Sequence, residues 1–295
     1  MTTRYHVPVL PDATVDLWIT REDGLYADGT FGGGGHSAKA LERLDGNGRI
    51  FAFDQDPDAR ANVPDDARLT FVARNFAEMA AAGLPLLDGI LLDLGVSSHQ
   101  FDVAARGFSY RFHSPLDMRM NPEASVASAA DLLNRLSTQE LADVFYRYGE
   151  LRQSRKLARA IAENRPVLTT FQLNAVVEPL LDPADLNGDM ARVYQALRIR
   201  VNDEIGVLCR FLTFAPRLLK PGGRLVVLAY HSLEDGLVKK FFRAGNETGV
   251  AEKDFYGREK KVWRELTQKP VVADAKEIFD NPRARSARLR AAETI

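Results

Sequence analysis

The first third of the chain alternates short β-rich runs with helical patterns, and this alternation restricts the possible folds more than any other feature. It is the pattern of a parallel sheet whose strands are joined by crossover helices. We predict four strands in this region: Leu25–Asp28, Arg49–Phe53, Leu69–Ala73 and Asp88–Leu94. The fourth run is almost wholly apolar, which favours a central strand covered on both faces.

Between Phe108 and Val207 the strand pattern fades and apolar residues recur at helical spacing. The predicted helices are Thr138–Tyr148, Leu151–Asn164 and Phe171–Leu181. The sheet pattern then resumes. The sequence therefore predicts a discontinuous α/β domain, residues 1–106 and 207–295, interrupted by a helical domain over residues 107–206.

The returning part of the α/β domain contains a helix over 208–219, a turn at Lys220–Gly223 and a strand over 224–229. Nearer the end, Leu266–Val272 and Ser286–Ala292 are predicted to pair as edge strands, with Asn281-Pro282 in their connection. The chain has no internal repeat and no low-complexity segment.

Composition excludes several classes of protein. Hydrophobic residues make up 45% and charged residues 27% of the chain, which is typical of a soluble globular protein. No segment reaches the apolar length of a membrane span, and Met1–Thr14 lacks a secretion pattern, so we expect a cytoplasmic location without membrane contact. The oligomeric state stays open, a homodimer included.

The single cysteine, Cys209, rules out an internal disulfide and lies in an apolar helical stretch, where we expect a small core residue. Such a residue cannot easily supply a nucleophilic thiolate, which argues against reactions that need one, such as methylation of cytosine at C5. The five histidines are scattered without metal-ligand spacing, so no metal site is predicted.

A glycine loop, Asp28–His36, lies between the first predicted strand and the helix that follows it. Missing β-carbons let the backbone approach a ligand there. Asp54 ends the next strand, where a carboxylate can accept hydrogen bonds from ribose hydroxyls. The pair fits a nicotinamide dinucleotide or S-adenosylmethionine. Two observations favour S-adenosylmethionine. The Lys220–Gly223 turn resembles one found in many class I methyltransferases, and the sequence lacks the second phosphate site that a dinucleotide needs. Phe76 either covers an adenine face or belongs to the core.

Two further candidates follow strands of the same sheet edge. Asp93 ends the fourth strand and could accept hydrogens from an exocyclic amine, or it could cap the loop or orient the cofactor. His231 follows the strand over 224–229 and either touches the base or has a structural hydrogen-bonding role.

The whole chain has a net charge of −1, so an enzyme of this composition that acts on nucleic acid would have to contact the phosphates through local basic segments. One is the stretch around Arg152, Arg155, Lys156 and Arg159. The other is the tail with Arg283, Arg285, Arg288 and Arg290. Each is either a solvated surface or an RNA contact.

Long motifs spread over nearly the whole chain resemble the RsmH/MraW family of 16S ribosomal RNA cytosine N4-methyltransferases. The motifs are Tyr5–Leu10, Gly32–Ser37, Asp93–Gln100, Arg106–Tyr110, Pro115–Met120, Gln195–Ile199, Ala229–Asp235 and Asn281–Ser286. The resemblance implies a class I, Rossmann-like methyltransferase sheet with an inserted helical substrate-recognition domain, and S-adenosylmethionine as donor. It also implies a decoding-centre cytidine of 16S ribosomal RNA, within the small ribosomal subunit, as acceptor.

The resemblance assigns the cofactor to one set of positions. They are the loop residues Gly33, Gly34, Gly35 and His36, together with Asp54, Phe76, Asp93 and Gln100. It also gives weight to RNA contacts by Arg152, Arg155, Arg159, Arg283 and Arg285, and to catalytic roles for Asp93 and His231.

The chain departs from the family pattern at two places. Asp28-Gly29-Thr30 replaces the usual Asp-Ala-Thr, a change we expect to affect packing only. Asn187–Arg192 replaces the usual His-Pro-Ala-Thr-Arg, which leaves the RNA contacts near it undetermined. Two rival functions stay open: a non-catalytic ribosome-assembly protein gated by S-adenosylmethionine, and a nicotinamide oxidoreductase.

Overall fold

The computed structural model describes residues 8–295, apart from the side chain of Ser98, and the chain divides into two compact units. One unit runs to Gly95 and resumes at Ile205, and the other spans Val96–Glu204. The sequence prediction put these boundaries after residues 106 and 206. The first boundary lies earlier because Val96 and Phe101 pack against the core of the helical unit. Residues Tyr5–Val7 of the first family motif lie outside the described residues.

The first unit is built on a seven-stranded sheet in the order β3-β2-β1-β4-β5-β7-β6. Strands β1 to β5 are parallel, and β7 is antiparallel to both of its neighbours. The bounds are β1 Leu25–Asp28, β2 Arg49–Phe53, β3 Leu69–Val72, β4 Leu87–Asp93, β5 Leu219–Ala229, β6 Trp263–Glu265 and β7 Arg288–Thr294. This mixed α/β sheet confirms the predicted class I, Rossmann-like fold. The strand order reverses between β1 and β4, where such sheets bind their ligands.

Helices cover both faces of the sheet. They are α1 Pro11–Trp18, α2 Gly35–Leu41, α9 Glu204–Leu218, α10 Ser232–Ala244 and α11 Ala275–Asp280. Neighbouring residues of β4 enter different cores: Leu91 packs with Trp18 on one face, and Leu92 packs with Phe211 and Phe241 on the other. This alternation explains why the run reads as continuously apolar, as predicted.

Of two sequence predictions for the returning part of the sheet, one is wrong and the other holds only in part. Lys220–Gly223 does not end a helix with a free turn, because it bulges within β5 where the β4 pairing shifts from Leu87 to Gly89. Leu266–Val272 forms no regular strand, but it does pair with β7 as predicted: the N–H of Leu266 donates to the Ala291 carbonyl at 2.9 Å, and Val271 forms an isolated antiparallel bridge with Leu289. Pro270 lacks the N–H that a continuous ladder needs, and the outer strand is β6. Its predicted partner β7 lies inside the sheet, between β5 and β6.

The prediction that Cys209 is a small core residue also needs correction. The residue lies on α9 as predicted, but it is only partly buried and its thiol hydrogen-bonds Glu247 Oε2 at 3.2 Å. Burial and the neighbouring carboxylate raise the pKa of this thiol to about 11, so it stays protonated at neutral pH. The thiol is therefore a poor nucleophile, which agrees with the expectation that it plays no catalytic part.

The second unit is helical. Its helices are α3 Ser98–Asp102, α4 Ala129–Arg135, α5 Thr138–Gly149, α6 Ser154–Glu163, α7 Thr170–Val177 and α8 Leu186–Asn202. Side chains of Ser128, Ser137 and Thr169 start α4, α5 and α7 with capping boxes. The core of the unit includes Phe145 and Leu197. Among residues 8–295, no helix combines the length and apolarity that a membrane crossing requires.

The segment that departs from the family pattern forms the first turns of α8. Asp189 is buried there, and its carboxylate accepts a hydrogen bond from Gln153 Nε2 at 2.9 Å and forms an ion pair with Arg192. These contacts join the start of α6 to α8 within the helical unit. Asp189 and Arg192 thus have a structural part in this chain.

Candidate functional site

The glycine loop connects β1 to α2 at the carboxyl edge of the sheet. Gly32 and Gly34 have positive φ angles of 49° and 74°, which side-chain-bearing residues rarely adopt. A β-carbon at Gly34 would also lie 2.8 Å from the Phe31 ring. Gly33 is exposed between them, so its backbone is open to a ligand.

Asp28, at the end of β1, supports this loop from beneath. One carboxylate oxygen accepts the Thr30 N–H at 3.1 Å, and the other accepts the Ser37 hydroxyl at 2.7 Å. Asp28 is almost fully buried, and burial raises the pKa of its carboxyl group. The residue therefore shapes the loop from inside and presents no acceptor to solvent.

The adjacent Gly29 is tightly enclosed. A β-carbon there would lie 2.3 Å from a methyl group of Leu92 and 3.0 Å from Cβ of Phe76. The glycine that departs from the family pattern is thus accommodated by the packing of its neighbours, and the departure does not alter the polar groups of the loop.

Asp54 follows β2 and is held in place by two backbone amides. Its Oδ2 accepts the Gly32 N–H at 2.7 Å, and its Oδ1 accepts the Asp56 N–H at 2.8 Å. Burial outweighs these hydrogen bonds and raises the pKa of Asp54 to about 6. The carboxylate is still mostly ionised at pH 7 and can accept further hydrogen bonds on its open side.

Phe76 begins the short helical turn after β3. Asn75 caps this turn by accepting the Ala77 N–H at 2.9 Å, and its amide donates to Gln55 Oε1 at the end of β2. The Phe76 ring meets Phe211 edge to face, with centroids 5.4 Å apart, and stays partly exposed. Phe76 therefore contributes to the core and still presents part of its ring at the sheet edge.

Asp93, at the end of β4, is the point where the elements of this edge converge. Its N–H donates to Thr30 Oγ1 at 2.6 Å, and its Oδ1 accepts the Tyr230 hydroxyl at 2.7 Å. Burial and the Asp93 carboxylate raise the pKa of Tyr230 well above its ordinary value, so the phenol remains a donor. The Asp93 side chain is 21% exposed and can reach a ligand.

His36 approaches the second oxygen of Asp93. Its Nε2 lies 2.9 Å from the carbonyl oxygen of Val9, and since a carbonyl only accepts, Nε2 carries a proton. Its Nδ1 lies 3.5 Å from Asp93 Oδ2, which is longer than a normal hydrogen bond. Asp93 Oδ2 is therefore the oxygen best placed to accept from a ligand.

His231 has a different environment from the one its position suggested. It caps the start of α10, where Nδ1 accepts the Glu234 N–H at 3.4 Å and Nε2 lies 3.2 Å from Glu234 Oε1. Its side chain is only 8% exposed. Glu234 in turn accepts the Tyr230 N–H at 3.0 Å, so these contacts favour a structural role for His231.

Sequence reasoning overlooked the two closest partners of Asp93. Tyr230 was noted only as a neighbour of His231, and Thr30 only as part of the glycine loop. The available indication was that Tyr230 is the first residue after β5, next to β4 in the sheet. Side-chain direction, which decides between Tyr230 and His231, is set by the pleat and cannot be read from residue types alone.

Gln100 belongs to the helical unit. It is buried, and its side-chain oxygen accepts the Ser97 N–H at 3.1 Å, which completes the capping box of α3. A structural contact thus accounts for this side chain, and a cofactor contact by Gln100 stays a prediction.

The basic segment of the helical unit is an open helix face. Arg155 and Arg159 lie one turn apart on α6, Arg152 precedes the helix, and all three side chains are exposed. The opposite face of α6 is buried through Leu157, Ala158 and Ile161. The arrangement suits either of the two interpretations made from the sequence.

The basic tail divides into two parts. Arg283 and Arg285 are exposed in the helical turn before β7. Arg290 is buried and Arg288 lies beside it, and both form ion pairs with Asp235, at 2.5 and 3.0 Å. The contacts with buried Asp235 favour a structural role for Arg288 and Arg290, whereas RNA contacts by Arg283 and Arg285 stay a prediction.

Comparison with known proteins decides the family. The MraW methylase family model matches residues 3–295 of the chain. The chain belongs to the MraW methylase family. This member is a methyltransferase, and S-adenosylmethionine is its cofactor, as the motifs and the fold implied.

Curated relatives match the chain along its whole length. A Phocaeicola vulgatus protein named ribosomal RNA small subunit methyltransferase H is 47% identical, with 98% of this chain and 97% of that protein covered. A Flavobacterium johnsoniae protein of the same name is 48% identical, with coverages of 100% and 99%. Among solved structures, an rRNA methylase from Streptococcus thermophilus has a TM-score of 0.38 at 10% identity, with coverages of 97% and 93%.

Proposed function

We propose that this methyltransferase transfers a methyl group to the exocyclic N4 amine of a cytidine in small-subunit (16S) ribosomal RNA, at the decoding centre. The curated relatives carry the name ribosomal RNA small subunit methyltransferase H, which supports the substrate. The observation that carries the proposal is the partly exposed Asp93 carboxylate at the end of β4, next to the glycine loop. Work on ribosomal RNA would place the protein in the cytoplasm.

The residues at the sheet edge fit the methyl donor. Glycines with positive φ angles keep the loop free of side chains, and Gly33 exposes its backbone. The Asp54 carboxylate is oriented by two amides and has lone pairs left for ribose hydroxyls. Phe76 offers an apolar surface for the adenine. His36 and Asp93 would contact the methionyl end.

When bound, S-adenosylmethionine supplies an electrophilic methyl group on a positively charged sulfur. The cytosine amine is a weak nucleophile because its lone pair is delocalised into the ring. Asp93 Oδ2 would accept a hydrogen bond from this amine, which favours the pyramidal form whose lone pair can attack. As the new N–C bond forms, the methyl–sulfur bond of the donor would break and leave its electron pair on the now neutral sulfur. The amine would then lose a proton, which Asp93 would accept.

Tyr230 and Thr30 hold Asp93 in the required orientation. The Tyr230 hydroxyl donates to Oδ1 and the Thr30 side chain anchors the backbone N–H, so neither of these two contacts uses Oδ2. A carboxylate fixed by packed neighbours loses less conformational freedom when it engages the amine. Tyr230 is thus a positioning residue and Asp93 the catalytic one.

The helical unit is proposed to recognise the RNA. Arg152, Arg155 and Arg159 would contact phosphates, which fix the position of the RNA without reading its sequence. Arg283 and Arg285 of the first unit would add phosphate contacts.

The test is nucleoside mass spectrometry of small-subunit RNA incubated with the protein and S-adenosylmethionine. We expect N4-methylcytidine with the wild type and a loss of at least a hundredfold in rate with Asp93→Asn, which keeps the shape of the side chain but removes its charge. Asp12→Asn is the matched control, since Asp12 is an exposed aspartate on α1 with a surface partner, Lys39. A different methylated nucleoside, or near-normal turnover by Asp93→Asn, would contradict the proposal.

A further inference from the structure

The connection between α10 and β6 forms a hairpin at Glu252–Lys260, here called the 252–260 hairpin. Lys253 pairs with Glu259, and the N–H of Lys260 donates to the carbonyl of Glu252 at 2.8 Å. Its turn is fixed by Asp254, whose Oδ1 accepts N–H groups of Tyr256 and Arg258 at 2.8 and 2.9 Å. The hairpin is therefore a hydrogen-bonded structure with a defined tip.

Two aromatic side chains project from this tip. Phe255 is 96% exposed and Tyr256 is 81% exposed, and their rings meet edge to face with centroids 5.6 Å apart. An edge-to-face pair leaves ring faces open to a third aromatic group. The two adjacent rings form a contiguous exposed apolar patch, the kind of surface feature that marks interaction sites, whereas singly scattered apolar residues are normal on a protein surface.

Basic residues slightly outnumber acidic ones around the tip. The exposed basic side chains are Lys253, Arg258, Lys260 and Lys261. The acidic residues are Glu252, Glu259 and Asp254, the last engaged within the turn, so residues 252–261 carry a formal net charge of +1. Open ring faces among excess positive charge are what single-stranded nucleic acid requires, since bases stack on the rings and phosphates meet the cations.

The hairpin lies at the opposite end of the sheet from the candidate active site. Strand β6 is antiparallel to β7, which is antiparallel to β5, so β6 runs parallel to β5. The hairpin precedes β6 and so lies at the amino ends of these strands, whereas Asp93 lies at the carboxyl end of β4. The nucleotides that stack on the tip are therefore different from the nucleotide being methylated.

We propose that the 252–260 hairpin binds a single-stranded segment of the RNA substrate, remote from the methylated nucleotide, through base stacking on Phe255 and Tyr256. The proposal rests on the proposed function in taking RNA as the substrate. It assigns to the sheet unit an RNA contact independent of the arginines on α6.

The test compares the wild type with the double variant Phe255→Ala/Tyr256→Ala in the full chain. We expect the double variant to bind purified small-subunit RNA about tenfold more weakly in filter binding, because each lost stacking contact weakens binding several-fold. Its affinity for S-adenosylmethionine and its turnover at saturating RNA should stay unchanged. The matched control is Val250→Ala, an exposed apolar residue of the same connection that lacks a ring.

A second pair of measurements keeps the two proposals distinguishable. Ultraviolet cross-linking to the same RNA should join it to the peptide carrying Phe255 and Tyr256, whether or not a methylated nucleoside appears. Equal RNA affinities of wild type and double variant, with no cross-link, would overturn the hairpin proposal even if methylation is normal. Tip-dependent binding to phosphatidylglycerol vesicles without a change in RNA affinity would overturn it in favour of a lipid partner.

Discussion

Lowering the pH should have two opposite effects through Asp54, because burial raises the pKa of its carboxyl group from the ordinary 3.8 to about 6. Between these two values the folded protein holds a proton that the unfolded chain has released. Because only the folded state binds this proton in that pH range, the proton stabilises the folded state. This contribution to the free energy of unfolding is complete below pH 3.8 and is lost as the pH rises through 6. The ribose hydroxyls of the donor, by contrast, need the ionised form as acceptor.

The size of both effects follows from the two pKa values. Between pH 7 and pH 5 the folded protein gains about 1.3 kcal/mol from Asp54, and the full difference is about 3 kcal/mol. Over the same interval the ionised fraction of Asp54 falls about tenfold. Since the donor needs the ionised form, we expect the affinity for S-adenosylmethionine to fall by about the same factor.

The assay uses urea unfolding and isothermal titration calorimetry on the wild type and Asp54→Asn at pH 5, 6 and 7. The variant cannot titrate at this position, so the difference between the two profiles isolates Asp54 from other buried acids such as Asp28, whose pKa is also raised. Parallel stability profiles of the two proteins would refute the argument. A donor affinity of the wild type that stays constant from pH 7 to 5 would refute the assignment of Asp54 to the ribose.

Two further predictions concern positioning and RNA binding. Tyr230→Phe removes a hydrogen bond to the Asp93 carboxylate that is worth about 1.5–3 kcal/mol. We therefore expect turnover to fall at least tenfold, while the dissociation constant of the donor changes little. Unchanged turnover at saturating substrates would show that Asp93 needs no such partner. Arg155→Ala/Arg159→Ala should reduce the slope of log affinity for RNA against log salt by about 1.5. The control Arg135→Ala removes an exposed arginine that is already paired with Asp131, and it should leave the slope unchanged. Equal slopes for the wild type and the double variant would mean that this face of α6 is only solvated.

Much of the fold could be predicted because its strands are continuous in sequence. Leu25–Asp28 and Arg49–Phe53 were predicted with the bounds they have in the structure, and the apolar run of β4 was correctly taken as central. The outer part of the sheet could not be predicted in the same way. The bulge at Lys220–Gly223 and the three-residue strand β6 depend on which strand lies alongside, and pairing partners leave little trace in residue types.

The candidate site shows the same division. The positions of Asp54, Phe76 and Asp93 at one sheet edge follow from the rule that parallel strands end together. In the structure Asp54 directly follows β2, Phe76 begins the helical turn after β3, and Asp93 ends β4. The roles of Tyr230 and His231 did not follow, since adjacent residues after a strand point in different directions. Only folding of the chain brings the phenol to Asp93 and the imidazole to Glu234.

By itself, the sequence determined the α/β architecture, the family and the residues available at the carboxyl edge, because hydrophobic periodicity and contiguous motifs are local properties of the chain. The tertiary structure decided which of those residues meet. It made Arg290, a member of the basic tail in sequence, the partner of buried Asp235, and it made Tyr230 the neighbour of Asp93. Such contacts join residues 55 and 137 positions apart, and no local pattern encodes a pairing between side chains that only the packed sheet brings together.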